Sequence, residues 1–212
     1  MNKKGETIFI IDDDLSIRRS LSLFLSAEGY QVNDYGSSEE YLEREPSDGA
    51  GCILLDVNLD GKSGLDLQQE LSALDSRLPI IFITGYGSIP MSVQAMKNGA
   101  VNFLEKPFRE KELLRSVAEA IALSRKLNLD RDEIGQARNL IRSLTPRENE
   151  ILTYLFTGRL NKQIAGELNI AEHTVKLHRH SICEKLGVRS VPEILRIADK
   201  SGLFSGISNG SH

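Results

Sequence analysis

The apolar run from Cys52 to Leu55 ends abruptly at the carboxylate of Asp56. Uninterrupted apolar blocks of this length are typical of strands that are buried on both faces of a parallel sheet. Further strand signals occur at about 7–12, 31–35, 79–84 and 101–105. Because helical patterns separate these segments, the first 125 residues are predicted to form an α/β doubly wound, five-stranded parallel sheet.

The helical patterns have recognisable ends. They are predicted at about 15–28, from Ser37 to before Pro46, at 63–74, at 90–98 and from Arg109 onward. The last pattern continues to about residue 142, which exceeds what a small domain needs. It is compatible with one long helix or with two helices broken near 128–132. Its second half, 126–142, is interpreted as a helical linker.

Polar groups follow four of the predicted strands. They are Asp12, Asp13, Asp56, Thr84 and Lys106. The carboxyl ends of parallel strands share one edge of the sheet, where such folds keep their sites. Clustered carboxylates repel one another, by about 4 kcal/mol for a pair ~4 Å apart at an effective dielectric of ~20, and they therefore favour a divalent cation.

The chemistry of this edge suits Mg²⁺ and a phosphoryl group. Asp13 and Asp56 would supply carboxylates to Mg²⁺, with Asp12 behind them and the main-chain carbonyl of Asn58 as a further ligand. Asp56 would be the exposed nucleophile that attacks phosphorus. Lys106 can neutralise a phosphoryl oxygen as a point charge and Thr84 can hydrogen-bond another.

Composition narrows the class of protein. The sequence has no apolar run near the ~20 residues that a membrane helix needs, and we expect a cytoplasmic protein. Cys52 and Cys183 lie too far apart for a metal motif and are interpreted as packed thiols. Residues 1–142 hold 17 Lys and Arg against 23 Asp and Glu, whereas residues 143–212 hold 9 against 7. This asymmetry fits an acidic metal-binding domain joined to an anion-binding one.

A second, all-α domain of four short helices is predicted over residues 143–205. Thr145, Pro146 and Glu148 form a capping-box pattern at its start. Further helices are predicted at about 161–168, 171–186 and 191–201. The short turn from Asn169 to Ala171 is typical of a helix-turn-helix. The last residues, 206–212, are predicted to be a flexible tail.

These residues resemble two known modules. The acidic pair, Asp56, Thr84 and the Lys106-Pro107 dipeptide are similar in order and spacing to a response-regulator receiver domain, which has a flavodoxin-like fold. The segments 144–148, 161–165 and 174–178 resemble the LuxR-type helix-turn-helix. Together they look like a transcriptional regulator of the FixJ/NarL type, with a receiver at 1–125.

The resemblance implies roles for the residues. Asp56 would accept a phosphoryl group from a histidine kinase, Mg²⁺ would be held by Asp12, Asp13 and the Asn58 carbonyl, and Phe103 would be an aromatic switch. Such a protein is not a turnover enzyme beyond its own phosphoryl transfer and dephosphorylation. One departure is Asp60, which stands where receivers usually have proline. Asn58 and Tyr86 occupy the two positions that tune dephosphorylation in this family.

The second helix of a helix-turn-helix enters the major groove of double-stranded DNA. Lys176, Leu177 and His180 share one face of that helix and, by resemblance, face the bases; a lysine can donate to guanine and a leucine can contact a thymine methyl. Candidates for phosphate contacts, which set affinity rather than sequence preference, are Lys162, Thr174, Arg179 and Lys185. Val175 and Ile182 are predicted to be core.

Phosphorylation is expected to shift the protein toward a DNA-binding homodimer, with RNA polymerase as a further partner. The proposed moving surface runs from Pro90 to Leu114 and includes Phe103. Thr84 would move toward the phosphoryl group and Phe103 would fill the vacated space.

Three other functions remain open from the residues. An aspartyl-phosphate hydrolase of the haloacid class would need an aspartate two residues after the nucleophile, where this chain has Asn58. A quorum-sensing regulator would need an apolar cavity in place of the acidic cluster. A regulator that acts on protein partners alone would not depend on Lys176 or His180.

Overall fold

The computed structural model describes residues 5–45, 49–85 and 89–204. The chain divides into two compact units, with the boundary between Asn128 and Leu129. The predicted tail at 206–212 and the dephosphorylation-tuning position Tyr86 lie outside the described residues. None of the helices in the described ranges is both long and apolar enough to cross a membrane.

The first unit is built on a parallel sheet. Its strands are β1 (Thr7–Ile11), β2 (Gln31–Tyr35), β3 (Gly51–Asp56), β4 (Ile80–Thr84) and β5 (Asn102–Glu105). Their order is β2-β1-β3-β4-β5, and every neighbouring pair is parallel. The predicted doubly wound α/β fold is therefore confirmed.

Five helices connect and follow these strands. They are α1 (Leu15–Ala27), α2 (Ser38–Leu42), α3 (Gly64–Ala73), α4 (Ile89–Lys97) and α5 (Glu110–Arg142). The first three begin at polar caps, because Asp14, Ser37 and Ser63 each accept a hydrogen bond from a backbone N–H of the first turn. The sequence left open whether the last segment forms one long helix or two. In the structure α5 is one continuous helix of 33 residues.

Side chains alternate between the two faces of the sheet, as the period of a strand requires. Ile8 and Ile10 of β1 pack with α1 and the first part of α5, whereas Phe9 and Ile11 pack with α2, α3 and α4. All six residues of β3 are buried. Because both faces of the sheet are covered, β3 is uninterruptedly apolar up to Asp56. This explains the apolar run from Cys52 to Leu55 in the sequence.

The second unit is a small helical bundle. Its helices after α5 are α6 (Pro146–Phe156), α7 (Asn161–Glu167), α8 (Glu172–Leu186) and α9 (Val191–Ser201). The predicted capping box is confirmed: the Thr145 N–H donates to Glu148 over 2.7 Å and the Glu148 N–H donates to the Thr145 hydroxyl over 3.3 Å. Ile141 of α5 packs into this core with Val175 and Ile182, and the last two were predicted to be core.

A short turn joins α7 to α8. Asn169 adopts a positive φ of 50° in this turn, which asparagine tolerates better than most residues. Ile170 then donates its N–H to the carbonyl of Ala165 over 3.0 Å, so the turn closes back on α7. The arrangement of two helices and a tight turn is that of a helix-turn-helix.

Candidate functional site

The carboxyl edge of the sheet brings Asp12, Asp56, Thr84 and Lys106 together. Asp56 is the last residue of β3 and Thr84 the last of β4, and these two strands are neighbours. Lys106 follows β5, and its N–H donates to the carbonyl of Thr84 over 2.7 Å. Asp12 follows β1 on the other side of β3. Side chains that are far apart in sequence therefore meet because their strands are adjacent and parallel.

Lys106 is the centre of this arrangement. Its ammonium donates to Oδ2 of Asp12 over 2.6 Å and to Oδ1 of Asp56 over 2.8 Å. Both carboxylates are buried, with 1% and 5% of their residue surface exposed. One cation thus offsets the charge of two acids that would otherwise repel each other at short range.

Burial and the contacts between Lys106 and the carboxylates act in opposite directions on the pKa values of Asp56 and Lys106. Burial raises the pKa of Asp56 above its ordinary value, although the Lys106 ammonium and the Asn58 amide act to lower it. Burial also acts to lower the pKa of Lys106, but its hydrogen bonds to Asp12 and Asp56 outweigh this and raise it. The lysine therefore keeps its charge while it contacts the site.

The loop after β3 supports Asp56 from the other side. The N–H of Asn58 donates to Oδ2 of Asp56 over 2.8 Å. Asn58 and Asp60 are exposed, and Asp60 occupies the position where the resemblance leads one to expect proline. The Lys106–Pro107 peptide bond is cis.

A residue that the sequence reasoning missed is Gly64, at the start of α3. A Cβ at this position would lie 2.2 Å from the carbonyl oxygen of Asp56. The N–H of Gly64 also donates to the carbonyl of Val57 over 2.9 Å. Only a residue without a side chain lets α3 begin this close to the acid.

The acid loop after β1 carries Asp12, Asp13 and Asp14. The N–H of Asp14 donates to Oδ1 of Asp12 over 2.9 Å, and Asp14 itself caps α1. Asp13 is exposed, so its carboxylate reaches solvent at the edge of the site. Arg18, a second residue that the sequence reasoning missed, donates to the carbonyls of Asp12 and Asp13.

The donor set can be tested against the expected Mg²⁺. Across the described ranges, no group of three or more His, Cys, Asp or Glu side chains is arranged as a metal site by itself. The ligands expected from the sequence are the carboxylates of Asp12, Asp13 and Asp56 and the main-chain carbonyl of Asn58. Oxygen donors of this kind are what Mg²⁺ takes, although the three carboxylates are not gathered around one point in the described structure. The exposed carboxylate of Asp13 and the carboxylate of Asp56, which is paired with Lys106, are donors of the kind that fit this ion.

Phe103 lies on β5 next to the site. It is partly buried and packs against Phe82 of β4, with 6.1 Å between the ring centroids. It belongs to the strand that leads to Lys106, and this strand lies between α4 and α5 in sequence.

The helix α8 carries the predicted DNA-facing residues. Lys176, Leu177 and His180 are exposed, and Leu177 exposes 55% of its surface although it is apolar. Lys176 pairs with Glu172 over 3.4 Å, and His180 Nε2 lies 3.5 Å from Glu184. An exposed apolar side chain among cations fits a surface that is covered by a partner.

The predicted phosphate contacts differ in their surroundings. Lys162 is exposed at the start of α7 and Thr174 is half-buried in α8. Arg179 donates to the side-chain oxygen of Asn161. Lys185 donates to Oε2 of the buried Glu148 over 2.6 Å, so its ammonium is engaged inside the unit.

Comparisons with known families agree with this geometry. Residues 8–118 match the model of the response regulator receiver domain, and residues 142–198 match that of the bacterial regulatory proteins of the luxR family. Receiver domains typically bind Mg²⁺ at their acidic pocket, receive their phosphoryl group from a histidine kinase, and belong to regulators that are generally not enzymes. The luxR-family domain implies DNA binding.

Individual relatives cover nearly the whole chain. Nodulation protein W of Bradyrhizobium diazoefficiens is 43% identical over 92% of this chain and 86% of its own. The solved structure of the response regulator StyR is 42% identical, with a TM-score of 0.81 over 92% of this chain and 99% of that one. Full-length FixJ from B. japonicum is 33% identical, with a TM-score of 0.57 over 95% and 98%. The chain therefore belongs to the two-component response regulators of the FixJ/NarL type, which join a receiver domain to a LuxR-type DNA-binding domain and regulate transcription.

Proposed function

We propose that Asp56 is the phosphoacceptor of this response regulator and that its phosphorylation controls DNA binding by α8. The observation that carries the proposal is the pairing of Lys106 with both Asp12 and Asp56 at the carboxyl edge of the sheet. A buried carboxylate paired with a lysine ammonium, next to a second acid, is suited to accept a phosphoryl group because the negative charge is already partly offset.

The transfer itself follows from the positions of the side chains. A carboxylate oxygen of Asp56 forms the new bond to phosphorus, and the bond between phosphorus and a histidine nitrogen of the kinase breaks, so the imidazole leaves. Lys106 is within reach of an oxygen on the incoming group, and Thr84 at the end of β4 supplies a hydroxyl for another. The backbone N–H of Asn58 donates to the other carboxylate oxygen of Asp56, Oδ2, and keeps it oriented.

The residues proposed to hold Mg²⁺ are Asp12, Asp13, Asp56 and the main-chain carbonyl of Asn58. When bound, this ion would neutralise the negative charge that meets at the site. Asp12 is buried and accepts a hydrogen bond from Lys106. Its proposed role is to hold the Lys106 ammonium and the acid loop in place as well as to support the ion. Asp13, which is exposed, supplies the open carboxylate.

The DNA-binding surface is proposed to be the exposed face of α8. Lys176, Leu177 and His180 would contact base edges, and Lys162, Thr174, Arg179 and Lys185 would contribute phosphate contacts. The bond between Lys185 and Glu148 means that any phosphate contact by this lysine would have to coexist with its structural role. The surface supports binding of double-stranded DNA because cations and an exposed leucine lie together on one helix.

The coupling is proposed to pass through the surface from Pro90 to Leu114. Thr84 and Phe103 are the switch residues, because one ends β4 at the site and the other packs on that strand from β5. Three apolar side chains of α4, Ile89, Val93 and Met96, are exposed and support a homodimer formed through this helix. RNA polymerase is the proposed further partner, and the cytoplasm the proposed compartment.

The domain limits are proposed as a receiver at 1–125, a helical linker at 126–142, a DNA-binding domain at 143–205 and a tail at 206–212. The packing of Ile141 into the helical core supports a linker whose end is fixed to the second domain. The proposed linker lies within the continuous helix α5.

The test uses the full chain, Mg²⁺ and a small phosphodonor such as phosphoramidate. The expected result is a mass increase of one phosphoryl group, which is lost at alkaline pH as an acyl phosphate is, and which is absent in Asp56→Asn. The phosphorylated chain is expected to sediment as a dimer and to bind DNA more tightly. Phosphorylation that persists in Asp56→Asn would show that another residue is the acceptor.

A further inference from the structure

Arg18 of α1 holds the acid loop by its backbone. One nitrogen of its guanidinium, Nη1, donates to the carbonyl of Asp12 over 2.6 Å and to the carbonyl of Asp13 over 3.0 Å. A second nitrogen, Nε, donates to Oδ2 of Asp34 over 3.3 Å. Only 13% of the arginine side chain is exposed, whereas 42% of the Asp34 side chain is.

The guanidinium of Arg18 packs against the backbone just after β2. A Cβ at Gly36 would lie 3.5 Å from the guanidinium, which is ordinary packing distance. The N–H of Asp12 also donates to the carbonyl of Tyr35 over 3.2 Å. The acid loop is therefore fixed both by a main-chain bond to β2 and by an arginine that is itself anchored on Asp34.

The position of this charge is unexpected on electrostatic grounds. A guanidinium beside a site for a divalent cation repels that cation, and the repulsion is strongest where the surroundings exclude water. A role in positioning the metal ligands would instead strengthen binding of the divalent cation. By holding two successive carbonyls, Arg18 fixes the peptide groups between which the side chain of Asp13 leaves the backbone. Asp13 is exposed and depends on its backbone for its direction.

We infer that Arg18 is a positioning residue for the metal-binding loop, aiming the Asp13 carboxylate at the cation through the carbonyls of Asp12 and Asp13. The inference rests on the proposed Mg²⁺ site and adds a residue to it that does not touch the ion. Removing a residue that orients metal ligands typically lowers metal affinity by 10- to 100-fold. The fork of an arginine suits this role, because its planar guanidinium holds donors on separate nitrogens in a fixed geometry, whereas the donors of lysine all lie on one nitrogen.

The experiment is a calorimetric titration of the full chain with Mg²⁺ alone. Arg18→Met is expected to weaken binding by about tenfold, and Arg18→Lys by less, because the ammonium can reach a carbonyl but not Asp34 as well. Arg19→Met, at the exposed next position, removes the same charge from the same helix and is expected not to weaken binding. Unchanged or tighter binding in Arg18→Met overturns the inference, since loss of a repelling charge alone would tighten it.

A second readout separates positioning from damage to the fold. The rate of phosphorylation by phosphoramidate is followed as Mg²⁺ is raised. In Arg18→Met the Mg²⁺ concentration for half-maximal rate is expected to rise about tenfold, while the maximal rate stays within about twofold. A maximal rate that falls without any change in the Mg²⁺ dependence overturns the inference.

Asp34→Asn provides the variant that tests the anchor without removing the arginine. It is expected to weaken Mg²⁺ binding less than Arg18→Met, and an equal or larger loss would overturn the assignment to the carbonyl bonds. The proposed function fails separately: a wild-type chain that neither binds Mg²⁺ nor accepts a phosphoryl group overturns both. A wild type that does both, with Arg18→Met unchanged, overturns only the role of Arg18.

Discussion

Lys106 Nζ lies 2.8 Å from Oδ1 of Asp56, although the two residues are 50 positions apart in sequence. The lysine follows β5 and the aspartate ends β3, with β4 between them. The ammonium therefore reaches across one strand to the acid. This contact places a positive charge beside a buried carboxylate, and it acts to lower the pKa of Asp56 against the effect of burial, which raises it.

Replacement of Lys106 by methionine is expected to slow phosphorylation of Asp56 by about a hundredfold, because a preorganised charge at the reacting group is lost. The pKa of Asp56 is expected to rise further, since Lys106 acts to lower it. The rate is measured with phosphoramidate and Mg²⁺. Lys111→Met, which removes an exposed lysine at the start of α5, is the matched control. Equal rates in the two variants would contradict the role of Lys106.

Gly64→Ala is expected to disturb the site and the fold together. The new Cβ would lie 2.2 Å from the carbonyl oxygen of Asp56, a distance that forces backbone movement. We expect a loss of about 2 kcal/mol in unfolding free energy, together with slower phosphorylation. Gly135→Ala is the control, because nothing lies within 4 Å of its Cβ and alanine favours a helix. A Gly64→Ala chain as stable as wild type would contradict the close approach.

Much of the first unit follows from local pattern. The strands were predicted within one or two residues, because apolar runs in a doubly wound sheet are continuous and end at polar residues. The acid at the end of β3 and the lysine after β5 could be found in the same way. Gly64 and Arg18 could not, since their importance lies in contacts with backbone atoms that no sequence period reveals.

In the second unit, too, local features could be predicted from the sequence and contacts between distant residues could not. Glu148 was predicted as half of a capping box, which is a local pattern. Its bonds to Ser181 over 2.7 Å and to Lys185 over 2.6 Å join α6 to α8, and sequence distance conceals them. Lys185 was therefore interpreted as a phosphate contact from its charge and position on the helix alone.

Glu148→Gln is expected to destabilise the second unit by about 2 kcal/mol, because charge-assisted hydrogen bonds to a buried group are lost. Unfolding of the full chain by urea, followed by helical circular dichroism, measures the loss. Glu150→Gln is the control: its pair with Arg147 is exposed, and exposed pairs contribute little. Equal losses in both variants would show that Glu148 is not the centre of this network.

The stability contributed by Glu148 is expected to depend on pH in a known direction. Burial raises the pKa of Glu148, but bonds from Lys185, Ser181 and Thr145 outweigh this and lower the pKa from 4.5 to about 2. Because the folded pKa is lowered, the contribution is present above 4.5 and is lost as the pH falls toward 2. The difference in unfolding free energy between wild type and Glu148→Gln should shrink over that window. A difference that grows on acidification would contradict the assignment.

Lys176 and Lys162 are expected to differ in how their loss affects DNA binding. Lys176 is exposed on α8, pairs with Glu172 over 3.4 Å, and would exchange that partner for a guanine edge. Lys176→Ala is therefore expected to cost about 1–3 kcal/mol on the specific site and much less on unrelated DNA, which lowers discrimination. Lys162→Ala is expected to weaken binding to all sequences alike and to reduce the salt dependence by about one counterion.

The measurement is fluorescence anisotropy on a fragment found by footprinting and on a scrambled fragment of the same length, across a salt series. The phosphorylated full chain is used, so that the proposed dimer is present. Glu172→Gln serves as a further comparison, since it removes the partner of Lys176 but keeps the lysine. If Lys176→Ala and Lys162→Ala weaken both fragments by the same factor, then Lys176 of α8, like Lys162 of α7, contacts only the phosphate backbone, and base recognition must depend on other residues of the second unit.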